Sequence, residues 1–281
     1  MTEARALPTD DLVIRTDDQG VARLRLNRPK AFNSLSTALM TELQDELDAI
    51  AKDPTVRVVL LQGDRQAFCA GHDLKEMRSH SDRGFLGSLF QQCSRLMMTL
   101  PRLPQPVIAR VDGIATAAGC QLVAACDLAF CSTEARFATS GVKYGLFCST
   151  PMVALSRNVR RKPAMEMLLT GDFIGAERAL AEGLVNLVAP PDDMDRAEAD
   201  LLARILDKPP RVLALGKQAF YRQLGMPLAE AYAFTSEVIV NNALDADARE
   251  GLDAFANKRS PVWDDAPGRG PIPLKKPDDH D

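Results

Sequence analysis

The most informative segment of the chain reads DGIATAAGCQ and runs from Asp112 to Gln121. It follows Val107–Val111, an apolar run typical of a buried parallel strand, and small residues continue from it to Ala125. We predict a closely packed helix over residues 115–125. Small residues let a ligand approach the backbone, and the first N–H groups of a helix attract a polarised or negatively charged oxygen. The segment therefore predicts a binding site for such an oxygen at the start of the helix.

A second segment of similar character reads FCAGHDLK and runs from Phe68 to Lys75. It follows the apolar run Val56–Leu61, which we interpret as another buried strand. Ligands of α/β sheets bind beyond the carboxyl ends of strands, so the two segments are expected to lie together. Two backbone N–H groups aimed at one oxygen would form an oxyanion hole. Either segment alone is typical of an ordinary turn or of tight helix packing, so the prediction depends on their combination.

The alternation of strand and helix patterns predicts an α/β core with parallel strands over residues 1–190. Residues 12–26 are predicted to form a hairpin, and Ser36 is predicted to cap the helix that follows. Only helical patterns remain in residues 191–260, which are predicted to be a helical appendage. The four helices predicted there cover residues 192–206, 211–224, 228–243 and 246–258. The proline- and charge-rich remainder, residues 261–281, is predicted to be a loosely ordered tail.

The composition disfavours several classes of protein. The net charge of −4 argues against nucleic acid as the main partner, and no apolar run is long enough to span a membrane. The six cysteines include no C-x-x-C pair, so neither a zinc site nor a disulfide framework is predicted. The acidic N-terminus lacks a secretory pattern, and free cysteines suit a reducing compartment. We therefore predict a cytoplasmic protein with no metal ion.

Five segments together resemble the signatures of one known family, the enoyl-CoA hydratase/isomerase (crotonase) family. They are Leu26–Leu35, Phe68–Lys75, Asp112–Asp127, Gly171–Val185 and Phe255–Arg259. The resemblance implies an α/β fold, a spiral of repeated ββα units with a C-terminal helical region through which subunits form homotrimers or homohexamers. It also implies an enzyme of fatty-acid or related acyl-CoA metabolism, a lyase or isomerase that stabilises a thioester enolate.

The resemblance also implies roles for individual residues. The backbone N–H groups of His72 and Ala118 would form the oxyanion hole for a thioester carbonyl, although the family normally has glycine where this chain has Ala118. Coenzyme A enters as part of the acyl-CoA substrate, and no prosthetic group is implied. For each lysine taken singly, an ordinary solvated charge is an equally good interpretation. The residues expected to contact coenzyme A are Lys30, Ala31, Ala70, His72, Asp73, Leu74, Lys75, Ala118 and Gly119, with Phe255 and Lys258 from a neighbouring subunit.

Two positions at the acyl end depart from the family pattern. The family uses two glutamates to hold and activate water, whereas this chain has Gln121 at the first position and Gly141 at the second. Gln121 can hydrogen-bond a water molecule but cannot take its proton. Gly141, for which we expect a positive φ, offers only its backbone. With the segment 145–151, this pattern closely resembles the enoyl-CoA hydratase domain-containing protein 3 subfamily.

The missing glutamates leave several functions open. The side chains of His72, Tyr144 and Cys148 are candidates for action at the acyl end. For His72 a purely backbone role is the favoured interpretation, and for the other two it is packing in the pocket wall. We therefore do not expect efficient hydration. A decarboxylase or thioesterase, which needs only a polarised carbonyl, fits the residues better, and a catalytically silent acyl-CoA-binding protein is the alternative from another class.

Overall fold

The computed structural model describes residues 11–263, 272 and 274, and these residues contain two β-sheets. The larger sheet has six strands in the order β1-β2-β3-β5-β7-β10, and the smaller has four in the order β4-β6-β8-β9. The tail predicted for residues 261–281 lies mostly outside the described residues. The strands are β1 Val13–Asp18, β2 Val21–Leu26, β3 Val58–Gln62, β4 Ala67–Cys69, β5 Val107–Val111, β6 Ile114–Thr116, β7 Leu128–Ser132, β8 Arg136–Ala138, β9 Ile174–Gly175 and β10 Leu187–Ala189.

Helices alternate with the strands in the first part of the chain, and the chain from Met194 to Ala256 is helical apart from short connections. The last four match the helices predicted after residue 190 to within two residues at each end. The division into separate units stays a prediction. The helices are α1 Thr37–Ile50, α2 Leu74–Ser79, α3 Arg83–Arg102, α4 Ala118–Ala125, α5 Pro151–Asn158, α6 Arg161–Thr170, α7 Ala176–Ala181, α8 Met194–Leu206, α9 Pro210–Gln223, α10 Leu228–Ala243 and α11 Ala246–Ala256. Short 3-10 helices cover Pro29–Ala31, Ser140–Tyr144 and Pro191–Asp193.

A ββα unit repeats along the core. In each unit a strand of the larger sheet bends into a strand of the smaller sheet, and helices follow, as in β3-β4-α2 and β5-β6-α4. Glycine is required at the bends because the chain folds tightly onto itself there. A Cβ at Gly63 would lie 2.4 Å from the Cα of Phe68, and one at Gly113 would lie 2.5 Å from the Gln66 carbonyl oxygen. The predicted α/β spiral with a helical C-terminal region is confirmed.

The first hairpin and the first helix form as predicted. Strands β1 and β2 pair antiparallel, and the turn residues Gln19 and Gly20 have φ values of 48° and 81°. Two positive φ values in a two-residue loop suit the right-handed twist of a hairpin. The Ser36 hydroxyl accepts a hydrogen bond from the Leu39 N–H at 3.2 Å and so caps α1.

The helix predicted over residues 115–125 is wrong at its start. Residues 114–116 form strand β6, and α4 begins only at Ala118. The strand was missed because a three-residue strand shows no alternation of apolar and polar residues, which is the signal that distinguishes strands from helices. The same reason applies to β4, β8 and the two-residue β9, the other strands of the smaller sheet.

The start of α4 is pressed against the end of β4. A Cβ at Gly119 would lie only 2.0 Å from the carbonyl oxygen of Cys69, so backbone meets backbone at this point. Any side chain at residue 119 would push the first turn of α4 away from the strand. This contact places the N-terminus of α4 beside residues 70–73, where the second predicted segment leaves β4.

We expect Gly119→Ala to lower the free energy of unfolding by about 2 kcal/mol or more, because the added methyl group overpacks a backbone contact. The matched control is Gly87→Ala in α3, where an added Cβ meets nothing within 4 Å. The free energy of unfolding of that control should rise by up to about 1 kcal/mol, because alanine has a higher helix propensity than glycine. Urea unfolding of both variants checks this, and equal stability of the two would contradict the tight contact.

Candidate active site

Residues 70–73 run as a strand-like segment beside Leu35. The Leu35 N–H donates to the Gly71 carbonyl at 2.7 Å, and the Asp73 N–H donates to the Leu35 carbonyl at 3.1 Å. Backbone groups alternate in direction along such a segment, so the N–H of His72 points away from Leu35. Among the described residues it donates no backbone hydrogen bond.

The first N–H group of α4 is the second free donor. Ala117 donates its own N–H to the Ala138 carbonyl at 3.0 Å and turns the chain from β6 into α4 with φ 51° and ψ −119°. A residue with a side chain rarely adopts this conformation, which costs about 1–3 kcal/mol. Ala118 is the first helical residue, so its N–H has no partner within the helix, and no other described group accepts it.

The two donors are brought together at Gly71. This residue has φ 89°, and a Cβ on it would lie 3.2 Å from the Ala118 nitrogen and 2.9 Å from the Ala117 Cβ. Only glycine fits this conformation and this space. The residue after it is His72, so the two predicted donor segments are in direct contact. The arrangement can direct two N–H groups, one reinforced by the dipole of α4, at a single oxygen.

A cavity of about 380 Å³ opens beside these donors. It contains five residues of the predicted site and also Tyr144 and Cys148, which were predicted to lie in the pocket wall. A larger groove lies between β10 and α8, but no predicted site residue lines it. The cavity is lined by Ala70, His72, Leu74, Met77, Phe90, Ala117, Ala118, Ser140, Gly141, Tyr144, Gly145, Leu146, Phe147, Cys148, Ser149, Thr150 and Pro151.

Asp73 holds the site segment rather than facing the cavity. Its carboxylate caps α2 by accepting the Lys75 N–H at 3.0 Å, and it accepts a hydrogen bond from the Arg28 guanidinium at 2.9 Å. Arg28 also donates to the Ser34 carbonyl at 2.6 Å. These bonds connect the segment that contains Lys30 and Ala31 to residues 70–73. Asp73 and Lys75 do not line the cavity, so their predicted contacts with coenzyme A stay predictions.

The imidazole of His72 lies in apolar surroundings. Both of its ring nitrogens are buried, and neither makes a hydrogen bond of good geometry, although one lies close enough to the Leu35 carbonyl for a weak one. The ring packs edge-on against Phe90 with centroids 5.2 Å apart. Burial lowers the pKa of His72 from its ordinary value of 6.5 to about 4, while the Leu35 carbonyl and the Glu76 carboxylate act more weakly in the opposite direction. The ring is therefore neutral at physiological pH.

Gln121 lies one helical turn beyond Ala118 on α4. Its side chain is 4% exposed and its amide oxygen has no hydrogen-bond partner, but it does not line the cavity. A neutral amide cannot serve as the base that a carboxylate provides. The structure therefore places no proton acceptor at the position of the first family glutamate.

The expectation of a positive φ at Gly141 is wrong, because Gly141 is not among the residues with positive φ. Space is the constraint instead. A Cβ at residue 141 would lie 2.5 Å from the Leu146 carbonyl oxygen and 2.9 Å from the Cys148 sulfur. The Leu146 N–H also donates to the Gly141 carbonyl at 3.0 Å. Residues 145–148 therefore fold over Gly141, the residue at which the resemblance predicts the second family glutamate.

The remaining predicted residues lie apart from the cavity. Lys30 is exposed on a 3-10 helix, and Phe255 on α11 is 85% exposed. Lys258 follows α11 with φ 53°. Their contacts with coenzyme A, including those from a neighbouring subunit, stay predictions.

The described residues contain no group of three or more metal-ligating side chains, and all six cysteines are free. Burial raises the pKa of the Cys148 thiol above its ordinary value, so the protonated thiol is favoured. Within residues 11–263, no helix combines the length and the apolar character that crossing a bilayer requires.

The cavity residues that sequence reasoning missed come from distant elements. Met77 and Phe90 belong to the helices α2 and α3, which follow residues 70–73, whereas Leu146 and Phe147 lie between Tyr144 and Cys148, in the stretch already predicted to line the pocket. Helical periodicity shows which residues of a helix face the core, but it does not show which of them face a cavity.

Comparisons with known proteins identify the family of the chain. Residues 16–266 match the family model described as enoyl-CoA hydratase/isomerase. A Xenopus laevis relative, "Enoyl-CoA hydratase domain-containing protein 3, mitochondrial", is 44% identical over 252 residues, which is 90% of this chain and 86% of the relative. The predicted family resemblance is confirmed. The mitochondrial name of this relative differs from the predicted cytoplasmic location, which stays a prediction.

Solved structures give the same result for the fold. The structure of human enoyl coenzyme A hydratase domain-containing protein 3 is 42% identical, with a TM-score of 0.87 over 90% of this chain and 100% of that chain. The structure of an enoyl-CoA hydratase from Mycobacterium smegmatis is 49% identical, with a TM-score of 0.89 over 90% of this chain and 99% of that chain.

The buried imidazole predicts a pH dependence of stability. As the pH falls below 6.5, the unfolded chain gains a proton on His72, while the folded chain resists it down to a pKa of about 4. The contribution of His72 to the free energy of unfolding is therefore fully present above pH 6.5. It is lost between pH 6.5 and a pH of about 4, by up to about 1.4 kcal/mol per pH unit. Urea unfolding of wild type and His72→Gln between pH 7 and pH 4 measures the difference. The control is His80→Gln at an exposed site. Parallel profiles for wild type and His72→Gln would contradict the burial of a neutral ring.

Proposed function

The chain belongs to the enoyl-CoA hydratase/isomerase family, and from that premise we propose that it binds an acyl-CoA thioester and polarises its carbonyl with the backbone N–H groups of His72 and Ala118. Coenzyme A is then part of the substrate. The observation that supports this most is the contact at Gly71, which brings two N–H groups without partners to the edge of one cavity. In enzymes with such holes, one donor is worth about 3 kcal/mol in the transition state.

Efficient hydration is not part of this proposal. Adding water to an enoyl thioester needs a group that takes a proton from water and one that delivers a proton to carbon. Among the described residues, no carboxylate lines the cavity. Decarboxylation fits best, because it needs only a polarised carbonyl to stabilise the enolate. Thioester hydrolysis can use the same two donors, but its attacking water must also lose a proton, and the described lining of the cavity offers no carboxylate for that step. Of the lyase and isomerase reactions expected from the family, we therefore propose only those that depend on a polarised carbonyl.

A second candidate function is binding without chemistry. In that case the protein sequesters or presents acyl-CoA thioesters. The observation that favours it is the neutrality of the acyl end, where Gln121 carries an amide and burial keeps both His72 and Cys148 uncharged. A panel of acyl-CoA substrates followed by mass spectrometry separates the two functions, because only an enzyme changes the mass of the thioester or releases coenzyme A.

We also propose that the protein forms a homotrimer or homohexamer. Helices α10 and α11 expose many large apolar side chains, including Leu228 at 75%, Ile239 at 61% and Leu252 at 67%. An apolar surface of this extent suits a subunit interface. Phe255 and Lys258 lie at the end of this surface, so a partner subunit is the proposed route by which they reach a nucleotide.

The first prediction concerns affinity. Acetyl-CoA should bind roughly tenfold or more tightly than free coenzyme A or a thioether analogue, because only the thioester carbonyl can accept the two N–H groups. Isothermal calorimetry with the three ligands measures the difference. Equal affinities would show that the donors do not meet the carbonyl.

The second prediction concerns hydration. Turnover of crotonyl-CoA by wild type should be very slow or absent, because each missing acid or base is worth about 10²–10⁴ in rate. Gln121→Glu should restore little, since residues 145–148 leave no room for the second carboxylate, and Gln121→Met is the uncharged control. Spectrophotometric assays measure the loss of the enoyl chromophore. Normal wild-type turnover with a bell-shaped pH profile would place the acid and base elsewhere.

The third prediction concerns assembly. Multi-angle light scattering should give a mass of three or six chains at micromolar concentration, because the apolar surface of α10 and α11 is then covered. The charged substitution Leu228→Glu should shift the protein toward smaller species. A monomeric wild type would rule out the proposed assembly.

A further inference from the structure

The cavity beside the two donors has on its wall one polar side chain that is buried and that the proposed function does not use, the imidazole of His72. The oxyanion hole needs only the backbone N–H of this residue. The imidazole packs edge-on against Phe90, and the large apolar side chains that line the same cavity include Leu74, Met77, Leu146 and Phe147. An apolar cavity would gain from an apolar residue at this position, because a buried polar group without a partner is unfavourable.

The other polar side chains of the cavity wall are either bonded or open to solvent. The hydroxyl oxygens of Ser140 and Thr116 are 2.7 Å apart, and the Ser149 hydroxyl donates to the Phe147 carbonyl at 3.4 Å. Tyr144 is 69% exposed. Among the described residues that line the cavity, only His72 carries buried side-chain nitrogen or oxygen atoms without a hydrogen-bond partner.

The chemistry of the ring limits what can pair with it. No aspartate, glutamate, lysine or arginine lines the cavity within the described residues. Burial favours the neutral imidazole, which has one N–H donor and one lone-pair acceptor. A charged group placed here would lose its hydration without gaining a counter-ion. An uncharged hydroxyl or ketone group could pair with the ring at no such cost.

Pairing with a ligand requires the ring to turn, because both of its nitrogens are covered as it stands. His72 as a whole is only partly buried, whereas both of its nitrogens are covered. A half-turn about the Cβ–Cγ bond exchanges the nitrogens with ring carbons and leaves the shape of the ring almost unchanged. A ligand group that pairs with the nitrogens would therefore select one of two ring orientations that fill almost the same space.

We propose that the acyl cavity selects acyl groups that carry an uncharged hydrogen-bonding substituent, a hydroxyl or ketone, and that the His72 side chain is the positioning residue that holds it. The inference rests on the proposed function, because it takes the thioester carbonyl to lie on the backbone N–H of the same residue. The imidazole and the backbone N–H of His72 are only a few bonds apart, so the two groups that they bind must lie close together on the ligand. The substituent must therefore lie on one of the first few carbons of the acyl chain.

The test compares acyl groups of nearly equal size by calorimetry on the full-length protein. The ligands are butyryl-CoA, its 2-, 3- and 4-hydroxy derivatives, and succinyl-CoA as a charged acyl group. At least one hydroxy derivative should bind roughly tenfold more tightly than butyryl-CoA, because it satisfies a buried group that butyryl-CoA leaves unpaired. Succinyl-CoA should bind more weakly than butyryl-CoA. Mass spectrometry after each titration confirms that the ligand is unchanged.

Variants then assign the preference to the side chain. His72→Phe keeps the backbone donor and should remove the preference for the hydroxy ligand, whereas His72→Gln, which can donate and accept, should keep part of it. The matched control is His80→Phe, which makes the same change at an exposed histidine that does not line the cavity. His80→Phe should keep the full preference.

The outcomes separate this inference from the proposed function. If wild type binds butyryl-CoA and all hydroxy derivatives equally, or if His72→Phe keeps the preference, the role of the His72 side chain is refuted while thioester binding stands. If none of the acyl-CoA ligands binds, the proposed function itself fails.

Discussion

The site depends on one contact, in which the backbone at the end of β4 meets the backbone at the start of α4. Gly71 and Gly119 form this contact, and a side chain at either position would collide with the other segment. Because both segments are anchored by the smaller sheet, the N–H groups of His72 and Ala118 are held in place before any ligand arrives. Preorganised donors act without reorganisation, which is the condition under which an oxyanion hole contributes most.

This dependence on backbone means that the proposed hole does not require the two glutamates for which the resemblance predicts the positions Gln121 and Gly141. Neither donor is a side chain, so the substitutions at the acyl end leave the donors unchanged. Residues 145–148 fold over Gly141, and the Cys148 sulfur lies 2.9 Å from the place where a Cβ of residue 141 would stand. The local path of the chain thus leaves no room for a side chain at residue 141. A single substitution at residue 141 cannot change that path.

Much of the fold and the contact between the two donor segments was predictable from sequence, because both depend on local patterns. Apolar runs marked the longer strands, Ser36 marked the start of α1, and the small residues around Gly71 and Ala118 marked the close approach of two segments. The short strands of the smaller sheet were not predictable, because three residues show no periodicity. The constraint at Gly141 was also missed. It arises from residues 146–148 returning to the same point, and a glycine in a sequence does not show whether conformation or space requires it.

The central claim, that two backbone N–H groups polarise a thioester carbonyl, is tested most directly by infrared difference spectroscopy. Acetyl-CoA labelled with a heavy isotope at its carbonyl carbon isolates that one stretching band from the amide bands of the protein. Hydrogen bonds from fixed donors weaken the carbonyl double bond, so the band of bound acetyl-CoA should move to a lower frequency than that of acetyl-CoA in water. A bound band at the same or a higher frequency would contradict the account, because it would show that the carbonyl does not lie between His72 and Ala118.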